Sequence, residues 1–124
     1  MEKQQNIVNI EKQLSTFKPS GQFYKSPTCL CIYSAGVKFL AEQCKSFWLL
    51  SDTSIKCPDL IKKGNDYVNI NLQKTGESGA VVFYEDGNKN LLFKQEYDFT
   101  TFPLEQIKLC YVNNTLYLPS ETRR

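Results

Sequence analysis

Tyr67-Val68-Asn69-Ile70-Asn71-Leu72-Gln73-Lys74 decides the fold. Val68, Ile70 and Leu72 alternate with Tyr67, Asn69, Asn71 and Gln73, and side chains two apart on a strand share one face. The segment predicts a strand with an apolar face toward the core and a polar face toward solvent. The pattern repeats downstream. Thr75-Gly76-Glu77-Ser78-Gly79 reads as a turn, and residues 80–85 are apolar on both faces, as a strand with two neighbours would be. Asp86-Gly87-Asn88 reads as a hairpin turn, with the glycine supplying positive φ. In residues 90–97 the alternation sets Leu91, Phe93 and Tyr97 inward and Leu92, Lys94 and Glu96 outward. Phe99, Phe102 and Pro103 fall in a longer connection with room for one helical turn. Residues 107–112 and 115–118 close a last hairpin around Asn113-Asn114, a pair that tolerates left-handed backbone. Residues 66–119 are thus predicted to form one antiparallel β-meander. Its core face holds Val68, Ile70, Leu72, Phe93, Ile107, Leu109 and Leu116.

The N-terminal half reads as helical. Ile7, Ile10, Leu14 and Phe17 are spaced by three, four and three, which makes one stripe of a helix. Gln4, Asn6, Glu11, Lys12 and Gln13 occupy the other side, and Pro19-Ser20-Gly21 is the stop signal. Leu30, Ile32 and Tyr33 read as a short strand, followed by Ser34 as N-cap of a helix. Val37, Leu40, Ala41, Cys44, Phe47 and Trp48 then recur at helical spacing. One main helix is expected over residues 36–56, packed across the sheet with Trp48 as its anchor, with Ser51-Asp52 as the place for a bend or the start of a second short helix. Cys57-Pro58 is expected to end it, because a residue before proline avoids helical angles. Residues 58–65 are expected to be a loop.

The chain has 124 residues, a size that predicts one domain able to bury a core without disulfides or metal. Within it the expected divisions are an N-terminal helix (1–20), a helical region (22–57), the meander (66–119) and a polar tail (120–124). Fifteen basic and thirteen acidic residues give a net charge of +2, too balanced for binding driven by phosphate electrostatics. The first twenty residues are polar and charged, which predicts no secretory signal. No apolar run reaches the ~20 residues that span a bilayer. The expectation is a cytoplasmic protein with no membrane association.

The chain has no histidine, which removes Ser-His and Cys-His nucleophilic machinery and every histidine-bearing zinc site. Glu42, Glu85, Glu96 and Glu105 are scattered, without the pairing that hydrolysis by two carboxylates needs. Glycines are dispersed among turns rather than gathered into a phosphate loop. No cofactor is expected. The five cysteines, an odd number, read as free thiols of a reducing compartment. The weighed alternative is a zinc site of Cys29, Cys31, Cys44 and Cys57, although only Cys29-x-Cys31 has close spacing. What remains is the solvent side of the meander. Tyr67, Asn69, Asn71, Lys94, Lys108 and Tyr117 are the candidate binding residues, a mixture suited to polar recognition of a protein or of a single strand of nucleic acid. The bland alternative is a solvated sheet face, and Tyr84 or Val82 on the same face would favour binding.

Tyr33-x-x-Gly36-Val37-Lys38-Phe39-Leu40-Ala41-Glu42 leads to Phe47-Trp48-Leu49-Leu50. Later come Phe99-x-x-Phe102-Pro103-Leu104-x-x-Ile107-Lys108-Leu109 and Leu116-x-Leu118-Pro119-Ser120-Glu121. Taken together these resemble a small bacterial family of unknown function, found in cyanobacteria and on plasmids and phage-like elements, over residues 22–121. The resemblance implies a stand-alone protein of mobile elements and supplies no activity, cofactor or catalytic residue. Its members lack cysteines at positions 29, 31 and 57. This chain departs from it by an extra N-terminal helix and a shorter loop after Trp48-Leu49-Leu50.

The fold class expected is α+β: an antiparallel meander of four to five strands, packed on one face by a central helix plus an N-terminal amphipathic helix. The function expected is a non-enzymatic protein-binding module, an accessory or inhibitor protein of a phage or mobile element with a protein partner. The alternatives are a single-stranded nucleic-acid-binding protein using the outer sheet face, and a small enzyme using a thiol such as Cys110.

Overall fold

The computed structural model describes residues 2–19 and 21–121, with side chains from residue 7 onward. The elements in chain order are α1 (Glu2–Leu14), β1 (Phe23–Tyr24), β2 (Ile32–Ser34), α2 (Ala35–Gln43), α3 (Phe47–Lys62), β3 (Val68–Thr75), β4 (Gly79–Glu85), β5 (Leu91–Tyr97), β6 (Gln106–Val112) and β7 (Thr115–Tyr117), followed by a 3-10 turn (Pro119–Glu121). The molecule is α+β, as the alternation implied. The sheet, however, has seven strands in the order β1-β2-β7-β6-β3-β4-β5 and is mixed, because β2 and β7 run parallel. This corrects the four-to-five-strand antiparallel meander.

The reason lies in the connection 98–105. It forms no helical turn. Phe102 and Leu104 are each only 1 % exposed, and burying them draws the chain back across the end of the sheet. β6 therefore pairs with the open side of β3, and Leu72 faces Ile107 across that ladder. The inward set is otherwise as the alternation requires: Val68, Ile70, Leu72, Leu109 and Leu116 are buried, and Phe93 and Ile107 pack on the core. Leu91 is corrected. A bulge opposite Tyr84 and Glu85 pairs it with Glu85 and leaves it 56 % exposed.

The single main helix is two helices. Cys44 caps α2, Lys45 takes φ +50, and the Ser46 N–H donates to Ala41 O. That is a left-handed C-terminal cap of the kind glycine ordinarily provides. With lysine in the position, the apolar periodicity runs through the break and hides it. α3 in turn passes through Pro58 to Lys62, because buried Cys57 and Leu60 hold the next turn on the core. The expected loop over 58–65 shrinks accordingly. Trp48 is half-buried and packs on edge strand β5, while Leu49 and Leu50 do the anchoring at 0 % exposure.

α1 ends at Leu14, before Pro19, with the Ser15 and Thr16 hydroxyls donating to the carbonyls of Lys12 and Gln13. Ile10 and Leu14 are buried, and Phe17 meets Phe39 of α2 at 5.4 Å between rings. Ser20, the side chains of Gln4 and Asn6, and tail residues 122–124 lie outside the described residues. Asn113 and Asn114 both take positive φ, as their hairpin requires. In the turn between β4 and β5 the positive φ belongs to Lys89, not Gly87. Gly87 instead makes room for Tyr67, whose Cζ would lie 2.9 Å from an added Cβ. The turn is held by Asp86, whose carboxylate accepts from the backbone N–H groups of Asn88 and Asn90 and from the Asn90 side chain. Those bonds, the Asn90 amide first, keep its carboxyl below the ordinary range.

The parallel pairing of β2 and β7 has a consequence at the chain's end. Parallel neighbours leave a sheet in the same direction, so the start of α2 and the 3-10 turn lie side by side. Glu121, expected in a polar tail, is 3 % exposed there. Its Oε1 accepts from the Ser34 hydroxyl and from Leu118 N at 3.0 Å, and its Oε2 accepts from Gly36 N at 2.9 Å. Ser34 also caps α2 as expected, accepting from Val37 N. The carboxylate sits where the helix dipole favours negative charge and satisfies donors that the helix cannot.

Candidate functional site

Five of the six residues proposed on the solvent side lie on strands of that face: Asn69 and Asn71 on β3, Lys94 on β5, Lys108 on β6 and Tyr117 on β7. Tyr67 immediately precedes β3. Much of the set is occupied with its neighbours. Asn69 Nδ2 donates to Asp86 O and its Oδ1 accepts from Cys110 Sγ at 3.5 Å. Asn71 Oδ1 accepts from Gln106 Nε2 at 3.2 Å, and Lys94 pairs with Glu96 at 3.5 Å. Val82 and Tyr84, which would have strengthened this face, point into the core at 0 and 1 % exposure. None of the six lines any of the three clefts described below.

The cysteines divide by burial. Cys29, Cys31, Cys44 and Cys57 are buried and Cys110 is half-buried; all five are free thiols. Cys29 and Cys31 Sγ lie 3.7 Å apart, in hydrogen-bond contact. That bond lowers Cys29 to about 6 against burial, and together with burial raises Cys31. No group of three or more Cys, Asp or Glu side chains converges into a metal-binding set among the described residues. The Cys110 thiol faces Asn69, an amide that cannot take its proton. A disulfide reagent such as DTNB should therefore release one equivalent of thiolate quickly from the native protein, and Cys110→Ser should abolish that phase. The other four thiols should react only as fast as the fold opens, and any fast equivalent remaining in Cys110→Ser would contradict this assignment.

The concave surface lies between α3 and β5. At helical spacing α3 presents Trp48, Asp52, Ile55 and Lys56 toward the edge strand. β5 and the connection after it present Phe93, Gln95, Tyr97 and Phe99. Trp48, Asp52, Tyr97, Phe99, Thr100 and Thr101 line a cleft of ≈ 350 Å³. Asp52 and Tyr97 also border a second cleft of ≈ 310 Å³, with Ile55, Lys56 and Phe93. The two form one groove.

Its walls are well defined. The Trp48 and Tyr97 rings stand 5.0 Å apart at 62°, forming a corner. Tyr97 Oη donates to Asp52 Oδ2 at 2.6 Å, and burial followed by this bond raises its phenol above the ordinary range. Lys56 Nζ rests 3.8 Å over the Phe93 ring. Phe99 is 73 % exposed and Ile55 56 % exposed, large apolar side chains left in water along the groove. The free edge of β5 beside it carries the bulge and the charged pair Lys94 and Glu96, devices that discourage strand addition. Contact is invited by the groove more than by the edge.

Sequence reasoning missed this site. The signal available was the pair Trp48 and Asp52, four apart on one helical face, and it needed the pairing of β5 to acquire a partner. A third cleft, ≈ 740 Å³, is lined by α1 and α2 together with Pro103; Lys45 and Lys74 make it basic. No helix among the described residues is long and apolar enough to cross a membrane.

No curated protein and no solved structure matches the chain. The family match begins at residue 8, inside α1, and so takes in the second half of that helix. Over residues 8–122 the chain matches the model of DUF6876, a family of unknown function, and it belongs to that family.

Proposed function

We propose that this protein is a non-enzymatic protein-binding module whose partner docks in the groove between α3 and β5. The observation that carries the proposal is Phe99, 73 % exposed beside the Trp48–Tyr97 corner. Aromatic anchors around a concave site are the common currency of protein recognition. We extend the proposal to the role implied by the family resemblance, an accessory or inhibitor protein of a phage or mobile element that acts by occupying its partner's surface. The alternative, single-stranded nucleic acid on the outer sheet face, has less support, since Lys94 is already paired with Glu96 and the asparagines bond to neighbours.

Photo-crosslinking tests the docking site. A benzophenone side chain at position 99, in cells of the native host, should give one discrete adduct, and the same group at position 108 on the outer face should give none. An adduct from 108 alone would move the site to the outer face. Silence at both positions would remove the proposal.

A further inference from the structure

Asp52 is the feature of the groove that apolar docking leaves unexplained. It is half-buried, and its Oδ1 has no hydrogen-bond partner among the described residues, since Tyr97 takes Oδ2. Neither of the two ion pairs among those residues involves it; these are Lys38–Glu42 and Lys94–Glu96. Lys56, one helical turn away, is drawn over Phe93 instead. A carboxylate partly removed from water, without a cation, is an unmatched charge. Around it stand the faces and edges of Trp48, Tyr97 and Phe99, with Thr100 and Thr101 at the rim.

We infer that this corner takes an alkylammonium, the head of a lysine side chain of the docked partner, plain or methylated. The chemistry matches on both counts. Aromatic faces attract a cation through their quadrupoles, tryptophan most strongly. The carboxylate supplies the opposite charge at a distance the rings cannot, and the threonine hydroxyls can accept from a primary ammonium. The cleft, ≈ 350 Å³, is of a size for one side chain head. The same groove already holds one ammonium against an aromatic ring, that of Lys56 on Phe93. The inference rests on the groove being the docking site and adds the chemical identity of the anchor.

Trp48 is the chain's one tryptophan, so tryptophan emission, excited selectively over that of the seven tyrosines, reports this corner. Titration should use N-acetyl-lysine amide, its trimethylated form, and the neutral isostere in which carbon replaces the ammonium nitrogen. Both cations are expected to change Trp48 emission saturably, with the isostere weaker by about tenfold or more. Tighter binding of the trimethylated probe would mark the rings as the main attraction, and tighter binding of the plain one would mark Asp52; either supports the inference. Asp52→Asn and Phe99→Ala should each weaken the cations by about tenfold, and the second alters only an exposed side chain. Equal binding of the isostere, indifference to Asp52→Asn, or no saturable change would overturn it. Equal binding of the isostere would leave apolar docking intact, which only the crosslink at position 99 can remove.

Discussion

Glu121→Ala is expected to lower stability by about 4 kcal/mol, because it strips the acceptor from three buried donors at once. The donors are Gly36 N, Leu118 N and the Ser34 hydroxyl. Each buried donor left without an acceptor costs about 1–3 kcal/mol, so the three together reach that range even with partial relaxation. For a domain of this size the change corresponds to a fall in Tm of about 15 °C. Glu121→Gln should recover little. One amide oxygen can still accept, but its NH2 group must then face Gly36 N–H or the Ser34 hydroxyl. The position also explains Gly36. An added Cβ would lie 2.6 Å from Glu121 Oε1 and 2.9 Å from its Cδ. Gly36→Ala should therefore cost about 2–3 kcal/mol by overpacking. In combination with Glu121→Ala the cost of Gly36→Ala should shrink in part: the carboxyl contact is gone, while Leu118 Cδ1, 2.5 Å from the added Cβ, still has to move. Additive losses in urea denaturation of the double variant would refute the contact.

The Glu121 contact joins the two ends of the described motif, and neither end announces it. Ser34-Ala35-Gly36 reads correctly as a helix entry, because an N-cap is a local event. Leu118-Pro119-Ser120-Glu121 reads as a tail, because nothing local says that β7 will lie parallel to β2. The same division runs through the molecule. Alternation in residues 67–74 identifies the buried face of β3 residue by residue, since period two is written into each strand. Which strands become neighbours depends on where Phe102 and Leu104 are buried, and a connection without periodicity carries no sign of that. Lys45 hides a helix end by holding a backbone angle that normally belongs to glycine, and Pro58 suggests an end that packing overrides. The groove is the extreme case. Asp52 and Tyr97 are forty-five residues apart and bond at 2.6 Å, and only the placement of β5 at the sheet edge next to α3 turns them into a site.

Alkaline pH should unfold this protein steeply, and the origin is the set of thiols and phenols in its core. Cys44, Cys57, Tyr84 and Tyr111 are all at most 4 % exposed. Burial pushes Cys44 from 9.0 up to about 12 and Tyr111 from 10.0 up to about 12. It also raises Cys57 and Tyr84, the latter helped by its proximity to Cys57. These are acids whose folded form holds the proton longer than the unfolded chain does. Above the unfolded value the native state binds more protons, so stability falls as pH rises from about 9 and stops falling only past the folded values. Each such group contributes about 1.4 kcal/mol per pH unit within that window. The two cysteines alone remove about 2–3 kcal/mol by pH 10, and the tyrosines steepen the loss beyond it. Cys29 and Cys31 share one hydrogen bond, which lowers the first and raises the second, so these two thiols titrate as a pair. With no histidine in the chain, no imidazole titration masks these limbs. Urea midpoints should therefore drop sharply between pH 9 and pH 10.5, and Cys44→Ala should make the drop shallower despite its own packing cost at neutral pH. A midpoint held constant to pH 10.5 would mean that these groups ionise in place, and the core around Cys57 and Tyr84 would have to be wetter than 0 and 1 % exposure allows.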